Sequence, residues 1–457
     1  MALQKIFAPK SMAIVGVSRS NPLHPANVIY NKNHLRYKAK TFAVNQKGGS
    51  LYGQPLYQSL REIPRPVELA VLALRAELVP QAMKDCIAAG VAGAIVISGG
   101  FAESGRGDLE EEIGVISREN NFPVIGPNCL GIYAPPWLDA FFLPHERLVV
   151  PKVGNVSLIS QSGGILVDLI IKLTQEDVGI AKAVSLGNKA VLDEVDLLNY
   201  FRGDPQTSVV GIYIEGFKPG RGRAFVELMR HYEKPVIMLK AGKTPGGSKA
   251  VSSHTASVAG DYPVFAELVK ESGALEAHDE IEFVSYCEAL SCGEKSGPMQ
   301  NLCIITGSGG HGAMAADACF VRGLTLAEIP ETDRAELKKR LSPSIQAIAS
   351  LNNPVDLTGS AIDNDFYAAG AFLLSRDYVD GIILLLLPYL PGISSDIGAR
   401  LAEAFREYRK PVITYIPHVE KYGIMIEGFT SNRMPVSHSV EGAVCMAEAM
   451  MQESKHG

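Results

Sequence analysis

Short runs of β-branched and aliphatic residues recur along this chain, each closed by a glycine or small polar turn and followed by a helical pattern. The first set of strands is expected at residues 12–17, 41–44, 69–74, 94–97 and 123–125, and the last of them leads into Gly126-Pro127-Asn128. A second set is expected at 155–159, 181–186, 209–214 and 235–239. The first of these strands runs into Ser160-Gln161-Ser162-Gly163-Gly164, and the last into a long Gly, Ser and Lys loop that contains His254. A third set begins at 302–305, followed by Thr306-Gly307-Ser308-Gly309-Gly310, and continues at 382–387 and 412–415. Strands that alternate with helices imply parallel sheets covered on both faces. Ligands of such sheets bind outside the carboxyl ends of the strands.

Two stretches break the pattern, near 144–151 and near 293–300, both mixing Pro or Gly with charge. A chain of 457 residues, at roughly 150 residues per domain, has room for about three domains. The expected domains are therefore 1–148, 149–295 and 296–457. The two strand-then-Ser-Gly-Gly turns suggest that the second and third are related α/β domains. No short solenoid repeat is present.

The net charge of -6 gives no general attraction to nucleic acid or to an anionic membrane, although local basic pockets remain open. Seven Cys without CxxC spacing read as reduced cytoplasmic thiols, with no Cys/His metal cluster. The first ten residues lack an apolar core of signal-peptide length, and the longest apolar run, 382–387, stops at Pro388. The expectation is a cytoplasmic chain without a membrane, nucleic-acid or metal partner.

The first turn, Gly16-Val17-Ser18-Arg19-Ser20, keeps only the first glycine of a dinucleotide fingerprint. The second strand ends in Asn45, where a nicotinamide enzyme would place an acid for the ribose hydroxyls. This is a nucleotide-binding fold without the dinucleotide signature. Lys47 serves equally as a phosphate contact or as an ordinary surface lysine. Gly242-Lys243-Thr244 lacks the upstream glycine of a P-loop, since position 237 is Ile237. The turns after Ser160 and Thr306 each open a helix with small residues, a design that suits an anion as well as plain turn chemistry. His254, in a small and polar loop, is expected to be no core residue. As a nucleophile it needs a neutral ring whose other N–H is held by a carboxylate. Glu215, at a strand end in the same domain, is the candidate, or else a solvated acid.

Taken in order, Ile14-Val15-Gly16, Ala43-Val44-Asn45, Gly126-Pro127-Asn128-Cys129, Ser160-Gln161-Ser162-Gly163-Gly164, Ile214-Glu215-Gly216, Ser253-His254-Thr255-Ala256-Ser257, Thr306-Gly307-Ser308-Gly309-Gly310 and Asn353-Pro354-Val355-Asp356 resemble the NDP-forming acyl-CoA synthetases, relatives of succinyl-CoA synthetase. The resemblance spans essentially the whole chain and is closest to the α subunits of archaeal ADP-forming acetyl-CoA synthetases. It implies a Rossmann-like CoA-binding domain, then two flavodoxin-like ligase domains, the first carrying a phosphohistidine. It also implies a separate ATP-grasp β subunit bearing ADP or ATP with Mg2+, in an α2β2 heterotetramer.

The reaction implied is acyl-CoA + ADP + phosphate = acid + CoA + ATP, an acid–thiol ligase run through acyl phosphate and phosphohistidine. On that resemblance His254 takes the phosphoryl group and Glu215 orients it. Gly16, Ser18, Arg19, Asn45, Lys47 and Asn128 line CoA. Gln161, Ser162, Gly163 and Gly164, with Ser308, Gly309 and Gly310, bind phosphate. Cys129 lies near the thiol end without a catalytic role. The loop 242–247 is expected to let His254 travel toward a distant ADP. Acetate is the default acid, and neither the acid nor ADP against GDP is fixed by these residues. A CoA-binding regulator without turnover and a nicotinamide dehydrogenase are the competing readings. The retained His254, Glu215 and Ser-Gly-Gly turns argue against the first, and the missing glycines and Asn45 against the second.

Overall fold

A computed structural model describes residues 2–255, 261–293 and 299–456, apart from some side chains at segment ends. The chain divides into two compact units, 1–278 and 279–457.

The first unit holds two sheets. The first sheet is built from β1 (Ser11–Val15), β2 (Lys40–Val44), β3 (Gly49–Leu51), β4 (Gln54–Tyr57), β5 (Leu69–Leu72), β6 (Gly93–Val96) and β7 (Val124–Ile125), in the order β3-β4-β2-β1-β5-β6-β7. All neighbours are parallel except the β3–β4 pair at the edge. Met12, Ile14, Leu69, Val71, Ala94 and Ile95 are fully buried. Such continuous apolar strands are what a parallel sheet with helices on both faces requires. The chain leaves β1 for β2 on one side and returns on the other to β5, so the strand order reverses between β1 and β5. That reversal leaves a crevice at the carboxyl ends of these strands.

The second sheet comprises β8 (Ile132–Ala134), β9 (Leu138–Asp139), β10 (Val153–Ser160), β11 (Ile180–Ser185), β12 (Val209–Ile214), β13 (Val236–Lys240) and β14 (Leu275–Ala277). Its order is β14-β13-β12-β10-β11-β8-β9. The strands β11-β10-β12-β13-β14 run parallel in flavodoxin-like order, with the switch point between β10 and β12. The short hairpin β8–β9 adds antiparallel to β11. Residues 132–139, within the expected first domain, thus close the edge of the second sheet, where Ile132, Tyr133, Ala134 and Leu138 are buried.

The second unit carries β15 (Asn301–Thr306), β16 (Thr325–Leu326), β17 (Val355–Asp356), β18 (Gly381–Leu385), β19 (Val412–Tyr415) and β20 (Val436–Ser437). The order β16-β15-β18-β19-β20 repeats the flavodoxin-like pattern, with β17 also paired to β15 and every pair parallel. The helix Glu280–Cys292 belongs to this unit and packs on Val440–His456. Arg322 joins them by ion pairs to Glu282 at 3.0 Å and to Glu448.

One local expectation changes. Residues 245–255 form a helix, Pro245–Thr255, rather than a loop. Pro245 fills the first helical position, where a missing N–H costs nothing. Thr244 caps the start, its Oγ1 accepting from the Gly247 N–H at 3.1 Å. Among the described residues no helix is long and apolar enough to cross a membrane.

Candidate active site at the switch point of the second sheet

The strand β10 ends on Ser160, and the helix Gly163–Gln175 begins three residues later. Ser162 is its N-cap, with Oγ accepting from the Ile165 N–H at 3.4 Å. Ser160 Oγ donates to the Ser162 carbonyl at 2.6 Å and fixes the turn. The first N–H groups of a helix have no intrahelical acceptor, so those of Gly163 and Gly164 point off the helix start with its positive dipole end. A Cβ on Gly164 would meet only Ser162 Oγ, at 4.0 Å, so the approach to this N-terminus is open.

That start opens on a cavity of about 490 Å3. Asn128, Gln161, Ser162, Asn188 and Glu215 supply its polar side, and Ile97, Leu130, Phe142, Leu143 and Val167 its apolar side. Gln161 Oε1 accepts the Glu215 backbone N–H at 3.0 Å, which ties the ends of β10 and β12 together. Glu215 is 4% exposed, and its Oε2 has no hydrogen-bond partner among the described residues. A buried carboxylate oxygen left in this state costs free energy unless a donor arrives.

Lys240, at the end of β13, is buried. Its ammonium donates to the Glu215 carbonyl at 2.6 Å and to the Ala241 carbonyl, and lies 5.8 Å from the Phe265 ring centre. Burial lowers its pKa, while the Glu215 charge works to raise it. Lys240 therefore fastens the Glu215 segment to the segment that leads into the helix Pro245–Thr255. That helix packs against the short turn Ala102–Ser104. His254 lies on this helix, and its side chain falls outside the described residues, as do Ala256 and Ser257. Within the same turn Glu103 Oε1 accepts from the N–H groups of Gly100 and Phe101, at 2.5 and 3.1 Å. Asn188 donates to Glu103 Oε2 at 2.6 Å and to Glu110 Oε2 at 2.9 Å, and accepts from Asn128 Nδ2 at 3.2 Å. Burial works to raise the Glu103 pKa, but the bonds from Asn188, Gly100 and Phe101 prevail and lower it.

Asn128 sits in the left-handed region at φ 56°, after a cis Gly126-Pro127 bond, and its N–H donates to the Ser98 carbonyl at 2.8 Å. Its neighbour Cys129 is buried, and burial pushes the thiol up to about 12. Cys129 is therefore no nucleophile at neutral pH.

The other expected CoA residues gather at the crevice of the first sheet. Gly16 has φ 100°, and a Cβ there would lie 2.3 Å from the Ala73 carbonyl oxygen. Asn45 Nδ2 donates to the Val17 carbonyl at 2.7 Å, while its Oδ1 accepts from the Lys47 N–H at 2.8 Å. Ser18 Oγ accepts from the N–H groups of Ser20 and Asn21. Asn45 and Ser18 thus build the turns, whereas the side chains of Arg19 and Lys47 are exposed. The Arg19 guanidinium lies over Gly49. No group of three metal-ligating side chains occurs among the described residues.

The turn Ser308, Gly309, Gly310 lies in the second unit, at the start of the helix Gly309–Val321. Here His311 Nδ1 is 3.1 Å from Ser308 Oγ, and a Cβ on Gly309 would lie 2.9 Å from Asp356 Oδ2. A carboxylate beside the helix start sets this turn apart from the one at Ser162. Lys240, Asn188, Glu103 and the apolar wall were not foreseen from sequence.

Three family models match the chain: a CoA binding domain over residues 10–135, a succinyl-CoA ligase like flavodoxin domain over 153–290, and a ligase-CoA domain over 302–415. The chain is 34% identical to the acetate–CoA ligase [ADP-forming] II subunit alpha of Pyrococcus furiosus, covering 99% of this chain and 98% of that subunit. It is 36% identical over 84% of its length to the acetate–CoA ligase [ADP-forming] I of Archaeoglobus fulgidus, but spans 55% of that longer protein. Among solved structures, the dinucleotide forming acetyl-coenzyme A synthetase 1 of Ca. Korarchaeum cryptofilum, in complex with phosphate and ADP, matches with a TM-score of 0.89 and 32% identity, covering 100% of this chain and 98% of that one. With the sheet orders and the ordered motifs, these likenesses place the chain in the NDP-forming acyl-CoA synthetase family, among the relatives of succinyl-CoA synthetase.

Proposed function

We propose that this chain is the CoA-binding, phosphohistidine-forming α subunit of an ADP-forming acyl-CoA synthetase. One observation carries the reading. The buried, unpartnered Glu215 carboxylate oxygen shares a cavity with the open N-terminus of the helix Gly163–Gln175. A helix start suits a phosphate, and a buried carboxylate without a donor suits the N–H of a neutral imidazole.

Phosphate, held by the turn from Gln161 to Gly164, attacks the thioester carbonyl carbon. The carbon–sulfur bond breaks, CoA leaves as the thiolate and takes a proton, and acyl phosphate remains. An imidazole nitrogen of His254 then attacks phosphorus, the bond to the acyl oxygen breaks, and the carboxylate leaves. Glu215 accepts the other ring N–H and stabilises the charged phosphohistidine. Phosphoryl transfer asks mainly for positioning and charge neutralisation, which this arrangement supplies.

In this reading the first domain, 1–148, binds CoA. Arg19 and Lys47 face its phosphates, Gly16, Ser18 and Asn45 shape the turns, and Asn128 faces the cavity. Residues 149–295 carry the transfer chemistry. Ser308, Gly309 and Gly310, in the domain 296–457, form a further helix start of the phosphate-binding kind, whose charge Asp356 moderates. ADP with Mg2+ sits on a separate ATP-grasp subunit, in an α2β2 assembly in the cytoplasm. The α-subunit relatives matched over nearly their full length support a separate partner.

The test is to incubate the chain, with its partner subunit, with an acyl-CoA and radiolabelled phosphate, beside the His254→Ala variant. The expected result is a base-stable, acid-labile label on the wild type alone. An unlabelled wild type across a range of acyl-CoAs would overturn the reading in favour of a regulatory CoA-binding protein.

A further inference from the structure

Three successive peptide groups at the end of β12 are held by side chains. Gln161 Oε1 accepts the Glu215 N–H at 3.0 Å, and the Lys240 ammonium donates to the Glu215 carbonyl at 2.6 Å. The Gly216 carbonyl accepts from the Lys189 ammonium at 2.8 Å. Gln161 follows β10 and Lys240 ends β13, the two neighbours of β12 in the sheet. Lys189 reaches in from the turn after β11, one strand farther away.

The Lys189 side chain is held along this reach. The residue is 3% exposed and sits at φ 56°, in the left-handed region. Its ammonium pairs at 3.0 Å with Glu194, which is 1% exposed. Glu194 opens the helix Glu194–Arg202, and the cap of that helix, Asp193, is bound by Arg221 through two bonds of 2.5 and 2.6 Å. The grip is reciprocal, because the Lys218 ammonium donates to the Lys189 carbonyl. The turns after β11 and β12 therefore hold each other on either side of Phe217. Lys32 shows the same construction elsewhere in this unit: it is 2% exposed, pairs with Asp139 at 2.8 Å and donates to the Phe141 and Leu143 carbonyls.

A neutral donor would satisfy the Gly216 carbonyl at less desolvation cost. What a charged hydrogen bond adds is strength, about twice that of a neutral one. Neither ammonium is used on the Glu215 carboxylate: Lys240 hydrogen-bonds carbonyls alone, and Lys189 bonds Gly216 and Glu194. The backbone at Glu215 is thus fixed while its Oε2 stays open to an incoming N–H. That division suits a carboxylate that must meet an imidazole in one geometry.

Resting on the synthetase reading above, we propose that Lys189 is a positioning residue for phosphoryl transfer to His254. It acts on Glu215 through the Gly216 carbonyl, with Glu194 as its buried counter-ion.

The experiment uses the full chain with its nucleotide-binding partner and two readouts. The first is the rate of acid-labile labelling of His254, from radiolabelled phosphate and whichever of acetyl-, propanoyl- and phenylacetyl-CoA labels the wild type fastest. The second replaces phosphate with arsenate. An arsenate oxygen attacks the same thioester carbonyl, CoA leaves as the thiolate and takes a proton, and water hydrolyses the acyl arsenate without His254. Lys189→Met is combined with Glu194→Gln, so that no buried charge loses its partner. The combined change should slow labelling by about 10- to 100-fold, as a small misplacement does, and leave arsenate-dependent CoA release within a few-fold. In a Glu215→Gln background it should slow labelling little further, because Lys189 acts through Glu215. Lys189→Arg, which keeps the charge and its donors, should retain much of the wild-type labelling rate. An equal loss in both readouts, an unchanged labelling rate, or an undiminished loss in the Glu215→Gln background would overturn this inference and leave the synthetase reading standing. A wild type that takes no label from any of the three thioesters would sink both.

Discussion

The side-chain carbonyl of Gln161 accepts the backbone N–H of Glu215 at 3.0 Å, across 54 residues of chain. The Gln161 N–H in turn donates to the Tyr213 carbonyl at 3.1 Å. These two bonds join β10 and β12 just beyond the point where the order of the second sheet reverses. The helix start that suits phosphate and the carboxylate that suits an imidazole therefore keep a fixed spacing. Lys240 grips the Glu215 carbonyl from the next strand. Positioning of this kind is what phosphoryl transfer most needs from a protein.

Glu215→Gln separates stability from chemistry. The wild-type Oε2 is buried without a partner, a state that costs roughly 1–3 kcal/mol. Removing the charge relieves part of that cost, so the variant should melt at the same temperature or higher. Histidine phosphorylation should slow by roughly 10²-fold, since Glu215 no longer balances the charged ring. Rapid-quench measurement of the acid-labile label, beside a thermal melt, checks both. A label that forms at the wild-type rate would remove Glu215 from the mechanism.

Gly164→Asp sets the same two quantities against each other at the helix start. An acidic side chain in the first turn stabilises a helix by about 0.3–1 kcal/mol through the dipole. Space for it exists, because a Cβ at Gly164 meets only Ser162 Oγ. The same charge would repel a bound phosphate. We expect an unchanged or slightly higher melting temperature and a KM for phosphate raised by about 10-fold or more. A phosphate KM left at the wild-type value would move the anion site elsewhere.

Much of this architecture was legible in the sequence. Strands such as 94–97 and 382–387 are unbroken apolar runs, and parallel sheets buried on both faces require such runs. Gln161 and Glu215 could be named because each follows such a strand directly. The hairpins at 49–57 and 132–139 were missed, since strands of two to four residues leave too little pattern to read. The helix Pro245–Thr255 was read as a loop because Gly246, Gly247 and Ser248 are weak helix formers. The Pro at its first position and the Thr244 cap carried the opposing signal. Lys32 and Lys240 could not be read at all. A lysine is normally exposed, and what buries these two is a set of carbonyl groups brought in from segments distant in the chain or from irregular turns.

Gly16→Ala tests the crevice of the first sheet. The residue sits at φ 100°, and an added Cβ would lie 2.3 Å from the Ala73 carbonyl oxygen. Both the left-handed backbone and the contact disfavour a side chain, so the variant should lose about 1–3 kcal/mol of stability. Relief requires β1 and the segment after β5 to separate, which displaces the Ser18–Arg19 turn. CoA affinity should fall with it, measurable by calorimetry at a temperature where the variant remains folded. Wild-type CoA affinity in a folded variant would exclude this turn from the CoA site.

Cys129 lines the same cavity as Glu215, and its chemistry follows from burial. The thiol is pushed up to about 12, and its hydrogen donates to the Val96 carbonyl at 3.3 Å. At pH 8 the thiolate fraction is then on the order of 10⁻⁴, and the thiolate is the reactive form. Iodoacetamide under native conditions should leave Cys129 unmodified while alkylating the partly exposed Cys292, as read by peptide mass analysis. Cys129→Ala should retain turnover within a few-fold, since no step of the proposed reaction passes through sulfur on the protein. Rapid native alkylation at Cys129, or loss of turnover in a folded Cys129→Ala variant, would instead make this thiol part of the chemistry and require a different account of how the thioester is opened.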